Sequence, residues 1–285
     1  ISLSGASPGT ATFFRCVLAV PLLWPLARRE RRHDGGLSWH GGVTAAAAGV
    51  LFAGDALLWT QAIFEVGPGL TTVLVNAQVV IVPLLALFVD REPVRAVFLA
   101  VVPFMVAGIL LTGGIFDVGA VGSAPGWGTI HAILAAVCYS GFLFLLRRGR
   151  HHGQAIQSYR VCLVAAALVA LIAGTLWQGV TVTPGWAALG WLALTAVCGQ
   201  ICGWLLIALV TAQLSSTVGA AILMVTPVGA LVLSALVLGE QPTILQLIGC
   251  ALMLASAYAA TASWRRFAPT VRRLAARASR DTSVR

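Results

Sequence analysis

The 285-residue chain is 59% hydrophobic and only 9% charged, with a mean hydropathy of +0.93 and a net charge of +9. A soluble domain needs a charged surface that this composition cannot supply, and a membrane β-barrel would alternate in polarity where this chain keeps long apolar runs. No stacking platform or nucleic-acid motif accompanies the positive charge, which argues against nucleic acid as a partner.

A bilayer core about 30 Å thick takes roughly 20 apolar residues per helix. Lipid leaves the backbone of an open strand unsatisfied. The apolar runs therefore predict an all-α integral membrane protein with nine spans, at about 10–27, 43–63, 69–89, 94–114, 127–146, 158–177, 186–210, 215–238 and 243–264. All eighteen basic side chains are Arg. They gather after every second break: Arg28, Arg29, Arg31 and Arg32, then Arg91 and Arg95, then Arg147, Arg148, Arg150 and Arg160, then Arg265 onward. The breaks between carry none. The positive-inside rule puts the Arg-bearing loops and the C-terminus in the cytoplasm, in a multi-pass protein of the cell membrane. Trp127, Trp177, Trp186 and Trp264 fall near span ends, where aromatic belts form. The tail 265–285 carries seven Arg against Asp281 and is expected to meet anionic lipid.

The chain repeats itself. Glu92-Pro93 recurs as Glu240-Gln241-Pro242, and Gly69–Val89 aligns with Thr217–Val237 at the same offset of 148. Phe14-Arg15-Cys16 resembles Tyr159-Arg160-Val161. The repeats are read as residues 1–115 and 125–264. Ile1 to Pro8 read as the end of an apolar segment and a turn, so the first repeat is expected to lack its first helix. With five helices per complete repeat, an odd number, successive copies insert upside-down. Inverted five-helix repeats are a transporter architecture.

Asp55 is the sharpest candidate for function. A carboxylate well inside a span is costly and faces a cavity or a partner. It aligns with Gly203 in the second half, so the fold itself does not demand a charge there. Arg15 lies about 8 Å below the outer end of its span and Asp55 roughly 10 Å below that of the next, which predicts an Arg15–Asp55 ion pair. Asp55 would either exchange a proton or stay ionised and bind a substrate amine; both roles stand open. Trp59, one turn on, shares its face. Asn76, Tyr139, Gln200 and Trp204 are further cavity candidates. Gly199 and Gly203 form a GxxxG, expected to admit a close helix. Pro83 and Pro227 interrupt spans and are candidate hinges. Glu65, Glu92 and Glu240 sit at loop boundaries; Glu92 and Glu240, shared by the repeats, read as helix-end or loop anchors, and His131 as packing. The six Cys lie in apolar runs without a CxxC, and neither a metal site nor a cofactor is expected.

The Ser7-Pro8 turn before an Arg-bearing span, Glu92-Pro93, Gly239-Glu240-Gln241-Pro242 and Thr226-Pro227 together resemble the EamA family of the drug/metabolite transporter superfamily. The likeness covers roughly residues 8–264. It implies a ten-helix fold with a central cavity, of which nine spans are present here, and movement of small metabolites. The leading expectation is a secondary transporter working by alternating access. It would export a small organic metabolite such as an amino acid or drug-like compound, with proton coupling and homodimerisation left open. A lipid or lipid-linked sugar flippase of the same build is the alternative. A membrane enzyme is disfavoured because no nucleophile elbow, HExxH or carboxylate pair occurs. A non-transporting remnant is the last option.

Overall fold

A computed structural model describes residues 5–91, 96–114, 116, 122–149, 154–203 and 216–265. The elements are α1 (Pro8–Asp34), α2 (Trp39–Val66), α3 (Pro68–Val75), α4 (Gln78–Asp90), α5 (Ala96–Thr112), α6 (Pro125–Gly149), α7 (Ala155–Trp177), α8 (Trp186–Thr195), α9 (Ser216–Leu238) and α10 (Ile244–Arg265). A π-helical segment, Ala196–Gly203, continues α8. Among the described residues six helices are long and apolar enough to cross a membrane, and three shorter apolar helices accompany them. The broken helix α3–α4 counts among the six as a 22-residue span, Pro68–Val89. Many outward side chains are large and apolar, such as Ile172, Leu176 and Leu236, as expected where lipid replaces water.

Local chemistry explains the boundaries. The Ser7 hydroxyl accepts from Thr10 N at 3.2 Å and Pro8 opens the first turn of α1. Ser38 caps α2 in the same way, accepting from Gly41 N at 3.1 Å. Gly67, at φ +88°, both ends α2 and starts α3, a turn that an L side chain rarely adopts.

The internal repeat is visible in the helix starts. Pro8 and Trp39 recur as Ala155 and Trp186, each 147 residues later. Repeat counterparts also pack on one another: α1 on α7, α3 on α9, and α5 on α10. That is what a two-fold relation between halves requires of helices nearest its axis.

Two contiguous cores follow. One joins the last turn of α2 to α3–α6 and α10, around Leu70, Leu74, Met105 and Met253. The other joins α1, α2, α6 and α7 around Leu23, Phe52, Phe142 and Leu163. The α2–α7 crossing has no room for a side chain at Gly49, where a Cβ would meet the Cys162 carbonyl oxygen and lie 2.8 Å from Ala165 Cβ.

Helices α1 and α7 are also tied at both ends. At the arginine-rich end, the Glu30 carboxylate accepts from Ile156 N at 3.0 Å and Gln157 N at 2.7 Å, capping α7. Gln154 and Gln157 donate to the loop carbonyls of Asp34, Gly35 and Gly36. At the opposite end Ser7 Oγ donates to Gly179 O at 2.6 Å, and Thr181 N donates to Thr10 Oγ1 at 2.9 Å.

Gly49→Leu is expected to lower the thermal midpoint of the detergent-solubilised protein markedly, since overpacking against backbone costs about 1–3 kcal/mol or more. Gly42→Leu, in open space, should leave the midpoint within about a degree or two of the parent. Size-exclusion after a heating series measures both.

Candidate functional site

Asp55 is buried at 9% exposure on α2, and Arg15 is half-buried on α1. They do not form the ion pair expected from the sequence. The Arg15 guanidinium lies 5.7 Å from the centroid of the Trp59 ring, and Asp55 makes no ion pair among the described residues. The reason is helix length. α2 runs to Val66, three residues past the expected end. Arg15 then sits about 10 Å from the start of α1 and Trp59 about 10 Å from the end of α2, whereas Asp55 lies about 17 Å in, one turn deeper.

Helices α6 and α7 and the π segment complete the cluster. The half-buried Tyr139 on α6 packs against the core of α1, α2, α6 and α7, with its ring 5.8 Å from that of Phe142. Tyr159 on α7 lies within the field of Arg15. Its hydroxyl donates toward Gln200 O at 3.3 Å and Gln200 Oε1 at 3.4 Å. Gln200 is buried within the π segment, whose widened turn leaves carbonyls free for such a bond and is a frequent mark of functional sites. Among the described residues Gln200 Nε2 and the Nε and Nη1 of Arg15 are buried donors without a partner. The cluster therefore holds one buried carboxylate, one cation faced by an aromatic ring, and several unmet N–H donors. A buried donor left unmet costs about 1–3 kcal/mol. Such a site favours a bound oxyanion.

The remaining sequence candidates fall elsewhere. Asn76 is buried, but its Nδ2 donates to Thr72 O at 2.9 Å, so it serves its own helix. It marks the break between α3 and α4, where Asn76 N and Ala77 N bond back three residues instead of four. The two prolines do not interrupt their helices: α4 runs through Pro83 and α9 through Pro227. The interruption lies at Asn76–Ala77 instead. Among the described residues nothing lies within 4 Å of a Cβ built at Gly199, and one at Gly203 would lie 3.4 Å from the Cys198 carbonyl oxygen. Trp204 lies outside the described residues, as does Glu92. Trp127, Trp177 and Trp186 are exposed at helix ends.

Sequence reasoning missed two features. Tyr159 stood out only as the neighbour of Arg160. The other is a polar relay at the arginine-poor end: Gln178 Nε2 donates to Gln61 Oε1 at 3.3 Å, Gln61 Nε2 to Glu65 Oε1 at 2.7 Å, and Glu65 Oε2 meets His131 Nδ1 at 2.5 Å. The His131 ring sits 6.1 Å from that of Trp127 and 5.7 Å from that of Trp177. The relay ties α2, α6 and the end of α7 together. His131 as packing does not describe it. Glu65 and His131 are 66 residues apart, and nothing local in the sequence joins them.

Comparison with known proteins places this geometry. Residues 1–114 and 126–262 match the family described as the EamA-like transporter family. No curated protein gives a significant match. A solved structure described only as a crystal structure of a protein superposes with a TM-score of 0.54 at 21% identity, covering 94% of this chain and 92% of that one. At that identity the likeness speaks for the fold.

His131→Leu is expected to destabilise the protein by about 1.5–3 kcal/mol, the value of a buried hydrogen bond to a charged group. Glu65→Gln in the same background should add little beyond it, because the pair acts as a unit. A double-mutant cycle of detergent-solubilised unfolding midpoints measures this; additive losses would show the two side chains to be independent.

Proposed function

The chain belongs to the EamA-like transporter family of multi-pass membrane transporters, and from that premise we propose that it exports a small zwitterionic metabolite, of the size of an amino acid, across the cell membrane. The observation that carries the substrate class is the separation of Arg15 from Asp55. Two opposite charges buried together would normally pair, because an unpaired buried charge is strongly destabilising. Here the Arg15 guanidinium faces the Trp59 indole, and no ion pair joins it to Asp55 among the described residues. A ligand bearing both charges satisfies both groups at once. Its ammonium meets Asp55, and its carboxylate meets the unmet donors of Arg15 and Gln200. Trp59 and Tyr139 contact the body between.

Asp55 also supplies a coupling device. A proton and a substrate ammonium compete for one carboxylate. Substrate held by Asp55 when the cavity faces the cytoplasm is displaced by a proton when it faces outward. Return of the protonated carrier then brings the proton in. Export runs on the inward proton gradient. The tied α1–α7 pair serves as the fixed body in this cycle. The broken α3–α4 helix and the π segment, two places where regular hydrogen bonding is interrupted, are where the helices bend at low cost.

In liposomes loaded with a labelled amino-acid pool, an imposed pH gradient should drive transport, and Asp55→Asn should reduce the gradient-dependent flux by about 10²-fold or more. Arg15→Gln should raise the half-saturating concentration by about tenfold or more, the worth of a charge-assisted hydrogen bond. Undiminished gradient-driven flux in the Asn variant would overturn the coupling role.

A further inference from the structure

A second arginine cluster stands apart from the central site, at the arginine-rich end. The guanidiniums of Arg28 and Arg160 lie 5.6 Å and 5.0 Å from the centroid of one indole, that of Trp24. Arg28 is exposed and Trp24 is 48% exposed, so the group is open to the surroundings of the protein. Arg160 is half-buried, and its Nε is a buried donor without a partner.

Two cations on one ring repel each other, and the nearby carboxylates do not relieve them. Both oxygens of Glu30 are engaged by the backbone of α7, at Ile156 N and Gln157 N. Asp34 pairs with His33 at 2.8 Å. Among the described residues no acidic group forms an ion pair with Arg28 or Arg160. The indole offers each some cation–π attraction, but no net negative charge.

The depth of the cluster says what would supply that charge. Residues of α1 from Arg28 onward are almost all exposed, with Glu30 intermediate, so the helix leaves the apolar region near Arg28. Trp24 is one turn earlier, at the level where an indole marks the boundary between hydrocarbon and headgroups. Arg160 lies five residues into α7 from the same end. Its guanidinium reaches the same ring, as long basic side chains near helix ends do when they extend toward the interface. An oxyanion at this level, beside a half-exposed indole, is a phosphodiester with acyl chains below it.

We propose that Arg28, Trp24 and Arg160 form a binding site for the phosphate of an anionic phospholipid in the cytoplasmic leaflet, bridging α1 and α7. The phosphate takes charge-assisted hydrogen bonds from both guanidiniums, and the indole flanks its glycerol. The site is separate from the central cluster, and it stands whether or not the transport reading does. It gives the α1–α7 pair a further tie at the end already joined by Glu30, Gln154 and Gln157.

The test is thermal unfolding of the purified full chain in a zwitterionic detergent, titrated with phosphatidylglycerol, with phosphatidylcholine of the same acyl chains, and with inorganic phosphate. Phosphatidylglycerol is expected to raise the midpoint saturably, and phosphatidylcholine and millimolar phosphate to do so far less. Arg28→Gln and Arg160→Gln should each weaken the apparent lipid affinity about fivefold, the effect of one basic residue at an anionic surface. The double variant Arg29→Gln/Arg32→Gln loses more charge yet should leave that affinity unchanged. Arg28 is exposed, so its variant reports on binding even if Arg160→Gln folds poorly. Equal protection by phosphatidylcholine would overturn the proposal. So would an equal loss in the Arg29/Arg32 variant, which would mean diffuse surface charge. Equal protection by inorganic phosphate would assign the site to a soluble anion and overturn the lipid.

Discussion

The bilayer tolerates almost no charge in its apolar depth, and this chain places a guanidinium and a carboxylate there. Each must be answered by something other than water. Around Arg15 and Asp55 the protein assembles side chains from α1, α2, α6, α7 and the π segment. Trp59 faces the Arg15 guanidinium, and the Tyr159 hydroxyl donates to Gln200 O. The regular parts of the fold supply the rigidity this needs. α1 and α7 are joined at both ends, and α2 is packed against α7 so closely at Gly49 that no side chain fits.

The two halves are related but unequal, and the inequality sits at the centre. Helix starts recur at a nearly constant offset, yet the irregular turns do not. In the first half the break falls at Asn76–Ala77, in the third membrane-crossing element. In the second half it is the π segment of the second element. Architecture is shared between repeats because both halves must fit the same bilayer and the same axis. Chemistry is not shared: Asp55 aligns with Gly203, and the second repeat has no carboxylate at that depth.

Much of the fold was legible in the sequence because hydrophobic run length and arginine placement are one-dimensional signals. The starts of α7 and α10 fell within about three residues of expectation, and the repeat was readable from Glu92-Pro93 and Glu240-Gln241-Pro242. The site was legible only in its residue types. Asp55, Arg15, Trp59, Tyr139 and Gln200 could be singled out because polar or aromatic groups inside apolar runs are costly or conspicuous. Their pairing could not. A three-residue difference in the end of α2 shifts depth by about 4.5 Å, enough to exchange Asp55 for Trp59 as the neighbour of Arg15. The Glu65–His131 contact was invisible for a related reason, since it joins two helices through tertiary packing alone. The prolines misled because a kink signal marks a helix, not the residue at which its hydrogen bonds give way.

The central claim is that Asp55 faces a water-filled path and not a sealed core. Cysteine labelling tests it most directly. In a chain whose six native cysteines are replaced by Ala, Asp55→Cys and Phe52→Cys are each exposed to a small charged thiol reagent in membrane vesicles. Phe52 lies less than one turn away but packs against Phe142, with ring centroids 5.0 Å apart. The account predicts rapid labelling at 55 and none at 52. Equal inertness at both positions would contradict it, and would make the Arg15–Asp55 cluster a structural feature of a closed core.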